Sequence, residues 1–152
     1  MLRIILSMVK SLEKIAKQKK IKYFLVTFVD LFGVQRAKLV PSRAIGEMQK
    51  TGAGFGGFAT HLDLSFSEPD MFALPDPDSL IQWPWQPDVG WLASDLVMKN
   101  KLMDQCPRVI LKNQIENLDK LDLTMKTGVE CEFFILNEDG SEVADTRDDA
   151  LK

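Results

Sequence analysis

Residues 21–52 read IKYFLVTFVDLFGVQRAKLVPSRAIGEMQKTG, and the local signal changes three times within them. Ile21 to Asp30 is rich in Val, Phe, Tyr, Thr and Ile, which predicts a strand. Leu31-Phe32-Gly33 reads as a turn, with Gly33 free to take positive φ. Val34 to Val40 sets Arg36 and Lys38 against Ala37 and Leu39, as a partly exposed strand would. Pro41 ends it because proline has no ladder donor. Ser42 then suits the N-cap of a short helix from Arg43 to Lys50, closed by Gly52. Strand, turn, strand, helix is the opening of an α+β sandwich in which a sheet grips one helix.

Upstream, Ile5, Met8, Val9, Leu12, Ile15 and Ala16 recur at helical spacing and give one apolar stripe. Lys14, Lys17, Lys19 and Lys20 gather toward the end of that segment, where positive charge complements the helix dipole. They read as a solvated helix end, with a nucleic-acid contact as the functional alternative. The apolar opening Met1 to Leu6 is short, Lys10 and Glu13 interrupt its continuation, and no small-residue cleavage site follows. Nothing approaches the roughly 20 apolar residues of a membrane span.

At 152 residues and 45% hydrophobic, the chain has the length of one ordinary domain and enough apolar surface for a core. A net charge of -3 argues against a dedicated nucleic-acid binder, which needs a strongly basic surface. Cys106 and Cys131 form no disulfide framework, and neither has a second Cys or His at zinc-ligand spacing. The reading is a soluble, cytoplasmic protein with no nucleic-acid or membrane partner.

Downstream of the helix, Gly52, Gly54, Gly56 and Gly57 crowd one segment with Phe55 and Phe58. So many glycines exclude a stable helix or a central strand. No G-K-[ST] follows, so this is no P-loop, and the spacing does not give G-x-G-x-x-G. It reads as a loop, either a plain mobile connection or one that closes over a ligand. His61 is the single histidine and alone makes a weak catalytic claim. Glu68 to Asp78 is dense in Pro and Asp and predicts turns. Leu80 to Trp85 is a short strand interrupted by Pro84, and Val89 to Met98 a longer, mostly buried one. Trp83, Trp85 and Trp91 lack interleaved Arg or Lys, so they read as core and edge packing rather than a base-stacking platform. Asn100 to Cys106 is a polar connector. Pro107 suits the first helical position, and Leu111, Ile115, Leu118 and Leu121 line one face of a helix to about Lys120.

Thr127 to Leu136 then predicts a strand. Side chains alternate along it, placing Glu130 and Glu132 on one face and Val129, Cys131, Phe133 and Ile135 on the other. Two neighbouring carboxylates repel unless a cation lies beside them. Glu130 and Glu132 are therefore candidate ligands for Mg²⁺ or Mn²⁺, which take hard oxygen donors. A strand with one wet face is the alternative. Asn137 to Gly140 reads as a turn, and the acidic tail beyond it has little to bury.

Taken in order, these features resemble the N-terminal part of glutamine synthetase, closest to the divergent type III-like subgroup. The resemblance rests on Val29-Asp30-Leu31-Phe32-Gly33-Val34, the Gly/Phe loop running into Pro69-Asp70-Met71, Leu74-Pro75-Asp76 with Pro84-Trp85, and Pro107-Arg108 ahead of Gly128-Val129-Glu130-Cys131-Glu132-Phe133-Phe134. It spans residues 21–136. It implies an α+β chain: an N-terminal helix (1–20), a β-grasp domain (21–105) and the truncated start of the catalytic domain (106–152). By the same resemblance Glu130 and Glu132 are metal ligands, with Mg²⁺ or Mn²⁺ serving ATP-dependent ligation of ammonia to the γ-carboxylate of glutamate.

Glutamate, ammonia and ATP are then the partners of the full-length protein, which forms a homo-oligomeric ring with active sites between subunits. The later ligands, the ATP-binding residues and the glutamate-binding arginine lie downstream in the family, so this chain alone is expected to be inactive. One position departs from the pattern. Many members carry F-D-G-S-S in the loop, with the Asp helping to bind ammonium, and here Gly56 falls at that Asp and Phe58 and Ala59 at the serines. Asp63 is the nearest carboxylate able to substitute as a substrate-binding residue. An amine such as methylamine is the alternative nucleophile, and a non-catalytic β-grasp assembly module the alternative function.

Overall fold

In the computed structural model of the protein, residues 10–144 are described. Ile5, Met8 and Val9 of the N-terminal apolar stripe lie outside them.

The architecture is set by β1 (Tyr23–Val29), whose Phe24, Val26 and Phe28 are all buried on one face. β1 pairs antiparallel with β2 (Gln35–Pro41) through the turn at Leu31-Phe32-Gly33, with Tyr23 opposite Pro41 and Val29 opposite Gln35. On its other side it pairs in parallel with β6 (Val89–Met98), Tyr23 opposite Val89. A parallel pair needs a crossover. Here the connection holds β2 itself, then α2 (Ile45–Thr51), β3 (Ala53–Phe55), β4 (Met71–Pro75) and β5 (Ile81–Gln82). The sheet order is β2-β1-β6-β4-β3, with β5 and β7 (Lys101–Leu102) both pairing β6. A helix gripped by a mixed sheet with β1 and β6 parallel at its centre is the β-grasp arrangement.

α1 (Leu12–Lys19) and α2 cover one sheet face. The Ser11 side chain caps α1 by accepting from the Lys14 N–H. Gln49 in α2 ties the helices together, accepting from the Leu12 N–H at 3.0 Å and donating to the Lys10 carbonyl at 2.8 Å. Leu12 and Ile45 meet Phe24, Val26, Leu92 and Leu96 in the core. Each such side chain contributes about 1.5–3 kcal/mol on burial, so this layer dominates the folding energy.

The last element, α3 (Pro107–Asp119), begins with Pro107 as expected. Its predicted apolar face is not buried, however. Leu111, Ile115 and Leu121 are exposed, and Val109 is the helix residue that enters the core, beside Cys106 and Met103.

Four smaller expectations change. Glu68 to Asp78, expected as turns, contains the strand β4 (Met71–Pro75), because pairing with β3 and β6 overrides the local turn signal of Pro and Asp. In β2, Arg36 and Lys38 lie on the core side with Val40, while Ala37 and Leu39 face outward, because register pairs them with Phe28, Val26 and Thr27, Leu25. Both cations have partners there: Arg36 reaches Asp30, and Lys38 reaches the Gly54 carbonyl and lies 5.0 Å from the Phe55 ring centre. Ser42 does not cap α2; it starts a 3-10 turn (Ser42–Ala44) that leads into the helix without a side-chain cap. The strand expected over Leu80 to Trp85 shortens to Ile81–Gln82, since Pro84 interrupts the ladder.

The largest correction concerns residues 127–136. They form no strand: residues 123–135 are irregular, with Leu136 joined to Val143 by an isolated bridge. A strand exists only against a partner, and among the described residues nothing pairs with this stretch beyond the turn contacts at Ile135 and Leu136. Its expected apolar side is bare, with Val129 90%, Phe133 75% and Ile135 65% exposed. The turn at Asn137 to Gly140 does form, with the Gly140 N–H donating to the Asn137 carbonyl at 2.8 Å.

Candidate functional site

The two predicted metal ligands, Glu130 and Glu132, sit on that irregular, exposed segment. Their chemistry suits a hard cation, but their placement does not build a site. Among the described residues no group of three or more His, Cys, Asp or Glu is positioned to hold a metal ion. A six-coordinate cation such as Mg²⁺ finds two carboxylates here and nothing holding them.

The Gly/Phe segment is more ordered than a plain loop. Ala53–Phe55 forms the edge strand β3, antiparallel to β4, and Phe55 packs edge-on against Phe28 with ring centres 4.9 Å apart. Edge position is what its glycines allow. Gly52, at φ 79° and ψ 163°, turns the chain from α2 into β3 in a region open only to glycine. A 3-10 turn (Gly57–Ala59) follows, and the chain folds back so that the His61 carbonyl accepts from the Leu31 N–H at 3.4 Å.

His61 and Asp63 both take left-handed backbone conformations, at φ 50° and 57°. Together with Leu31, Phe32, Phe58 and Leu64 they line a shallow cleft of about 360 Å³. Phe32 meets His61 edge-on at 5.3 Å, and Phe58 stacks on Phe66 at 4.5 Å. The structure thus brings His61 and Asp63 to one rim, with aromatic side chains as the wall. It does not bring either near enough to Glu130 or Glu132 to form a metal-binding group among the described residues.

The turn that supplies Leu31 and Phe32 is held by Asp30, which sequence alone places within the Val29 to Val34 stretch without giving it a role. This carboxylate is 1% exposed. One oxygen accepts from the Phe32 and Val34 N–H groups at 3.0 Å each, and the other from Arg36. Burial alone would raise the Asp30 pKa. The two backbone donors and the guanidinium outweigh it and hold the carboxyl below its ordinary value.

A second charged group joins the sheet to α3. Arg108 donates to Asp95 Oδ1 and to Asp76 Oδ2, each at 2.7 Å, and Lys112 donates to Asp95 Oδ2 at 2.5 Å. Burial pushes Asp76 up, but the hydrogen bond from Arg108 and the Asp78 N–H carry it below the carboxylate range. Burial likewise opposes charge on Arg108, and the two carboxylates reverse that and raise its pKa. The cluster is partly exposed and its bonds share partners, so solvent screening and coupling keep its contribution below the sum of three isolated charge-assisted bonds.

Comparison with known proteins bears on both ends of the chain. Residues 104–150 match the glutamine synthetase catalytic domain. A glutamine synthetase of Rhizobium leguminosarum bv. phaseoli is 52% identical over 145 residues, covering 95% of this chain and 33% of that protein. The chain belongs to the glutamine synthetase family.

The glutamate–methylamine ligase of Methyloversatilis universalis is 33% identical over 128 residues, 83% of this chain and 29% of its own length. The solved structure of GmaS in complex with ADP superimposes with a TM-score of 0.82 at 51% identity, over 90% of this chain and 32% of that one. The chain spans about a third of the length of the glutamine synthetase family relatives it matches. Arg108, Glu130 and Glu132 fall inside the catalytic-domain match, and Asp63 and His61 outside it. The expected recognition and the α+β, β-grasp class both hold.

Spacing could not have found the Asp30 or Arg108 groups, because their partners come together only through strand register and helix docking. The one local hint was Asp30 at a strand end ahead of a turn, where Asp accepts from backbone two residues on.

Proposed function

We propose that the chain is the N-terminal part of an ATP-dependent ligase that joins an amine to the γ-carboxylate of glutamate. The observation that carries this reading is 52% identity to a curated glutamine synthetase over 95% of the chain. On this reading residues 21–105 are the β-grasp domain and 106–152 open the catalytic domain. Glu130 and Glu132 supply two oxygen donors to the Mg²⁺ or Mn²⁺ that accompanies ATP. A bound divalent ion there would neutralise charge on the phosphoryl group. The chain's own contribution is to present the two carboxylates on one segment. Assembly into a homo-oligomeric ring supplies the facing surfaces, and the free thiols of Cys106 and Cys131 fit a reduced cytoplasm.

Ammonia is the amine of the ordinary family reaction. A second reading, methylamine, is favoured by the cleft around Asp63. At the position where many members carry an ammonium-binding Asp, this chain has Gly56, and Phe58 and Phe32 line the neighbouring wall. An apolar wall gains from burying a methyl group and offers nothing extra to ammonium. Asp63 remains the carboxylate available to an ammonium or alkylammonium charge.

The test is a chimera in which these 152 residues replace the matching third of the Rhizobium leguminosarum protein. Amide formation and ADP release are followed with ammonium and methylamine side by side. ATP-dependent amide from either amine supports the ligase, and its absence from a folded, assembled chimera overturns it. Preference for methylamine supports the second reading; strong preference for ammonium removes it.

A further inference from the structure

We propose that Asp76, Arg108, Asp95 and Lys112 form an electrostatic joint that holds α3 in one attitude to the sheet, and that opening it frees the helix while the sheet stays folded. Arg108 is the second residue of α3, the end where a cation opposes the helix dipole. Cys106 at the N-cap offers no side-chain bond. Helix stability therefore does not account for an arginine at this place. Its two terminal nitrogens instead reach carboxylates from two elements, Asp95 in β6 and Asp76 just after β4.

Those carboxylates are brought together by register, since Leu74 lies opposite Asp95 and Pro75 opposite Ser94. Without the guanidinium they would repel. Lys112, one turn further along α3, reaches Asp95 at 2.5 Å and lies 3.8 Å from Asp76. Two positive charges on the helix thus face two negative charges on the sheet unit.

Apolar packing does little to fix the helix beyond its first turn. Val109 is buried, but Ile110, Leu111 and Ile115 are exposed. An open groove of about 390 Å³, lined by Thr27, Val29, Trp91, Ala93, Arg108 and Leu111, runs between α3 and the strands. The helix is held to the sheet at its first turn by Val109 and along Arg108 and Lys112 by charge. A helix of this length has little stability of its own once undocked. The chain leaves α3 toward Glu130 and Glu132, so the joint also sets where those carboxylates start from. That last consequence rests on the ligase reading; the joint does not, and the test below reads the joint alone.

Backbone amide hydrogen exchange on the 152-residue protein, wild type against Arg108→Met, distinguishes the outcomes. The methionine keeps an apolar stem and removes the charge. Amides of residues 112–119 are expected to exchange roughly tenfold faster, with β1 and β6 amides unchanged. Arg108→Lys, which cannot span both carboxylates, is expected to fall between the two. Unchanged α3 exchange in Arg108→Met would overturn the joint, as would equal acceleration in β1 and β6. If Arg108→Met does not fold, Lys112→Met carries the same comparison: selective acceleration of α3 supports the joint, and none contradicts it.

Discussion

Asp30 and Arg36 close the β1–β2 turn from inside: Asp30 Oδ2 accepts from Arg36 Nε at 3.0 Å and lies 2.9 Å from Nη2, while Oδ1 holds two backbone N–H groups of the turn. This pair fixes the attitude of Leu31 and Phe32, and so one wall of the cleft that carries Asp63. Removing only the charge leaves Arg36 facing a neutral amide in a buried place. Asp30→Asn is expected to lower the melting temperature of the protein. Thermal unfolding followed by circular dichroism checks this, and an unchanged midpoint would mean the pair is incidental.

The same geometry sets a pH dependence. Asp30 and Asp76 both have folded pKa values below the ordinary 3.8, so each binds its proton less readily folded than unfolded. Their contribution is complete above the unfolded value and is lost as pH falls from there through the depressed folded values. Stability is therefore expected to be level from neutrality to mild acid with respect to these groups, then to fall below about pH 4. In Asp30→Asn the acid-dependent part shrinks, and the two melting curves converge as pH drops. Curves that stay parallel would contradict the assignment.

Gly52 and Gly33 share a φ of 79° but not their surroundings. A Cβ on Gly33 meets nothing within 4 Å, whereas one on Gly52 would come within 2.9 Å of Phe72 Cβ and 3.1 Å of the Ala73 carbonyl oxygen. Gly33→Ala should cost about 1 kcal/mol, the left-handed backbone term alone. Gly52→Ala adds backbone collision with β4 in a glycine-only region and should cost at least about 2–3 kcal/mol. Denaturant midpoints measure the difference; equal losses would mean that α2 and β3 are not joined as described.

The two thiols report on the irregular segment. Cys106 is buried and Cys131 exposed. A thiol reagent should label Cys131 rapidly in the native protein and Cys106 only on unfolding, because access controls reactivity. A protected Cys131 would show that residues 127–136 pack after all.

How far the sequence carried the account depends on where each partner lies. β1, β2, β6 and α3 were legible because their signals are local: β-branched and aromatic runs, a turn glycine, proline at a helix start. The inverted face of β2 was not, since Arg36 and Lys38 turn inward toward partners set by Asp30 and β3. Residues 127–136 carry a full strand pattern and form none, because alternation states a preference and pairing needs a second strand. Glu130 and Glu132 are candidates from spacing, chemistry and the resemblance, and the fold leaves them on an exposed stretch. Asp76 and Arg108 stand in stretches that carry the resemblance, but their pairing with each other, Asp95 and Lys112 was not legible, as no motif links charges brought together by register.

The assignment of Glu130 and Glu132 is tested most directly in the chimera with the Rhizobium leguminosarum protein, by measuring amide formation in Glu130→Gln and Glu132→Gln against the unsubstituted form. Even groups one layer out from a metal commonly cost 10–100-fold when removed. Each substitution is therefore expected to lower turnover by at least about a hundredfold, with partial recovery as Mg²⁺ or Mn²⁺ is raised. Full activity in both variants would contradict the account.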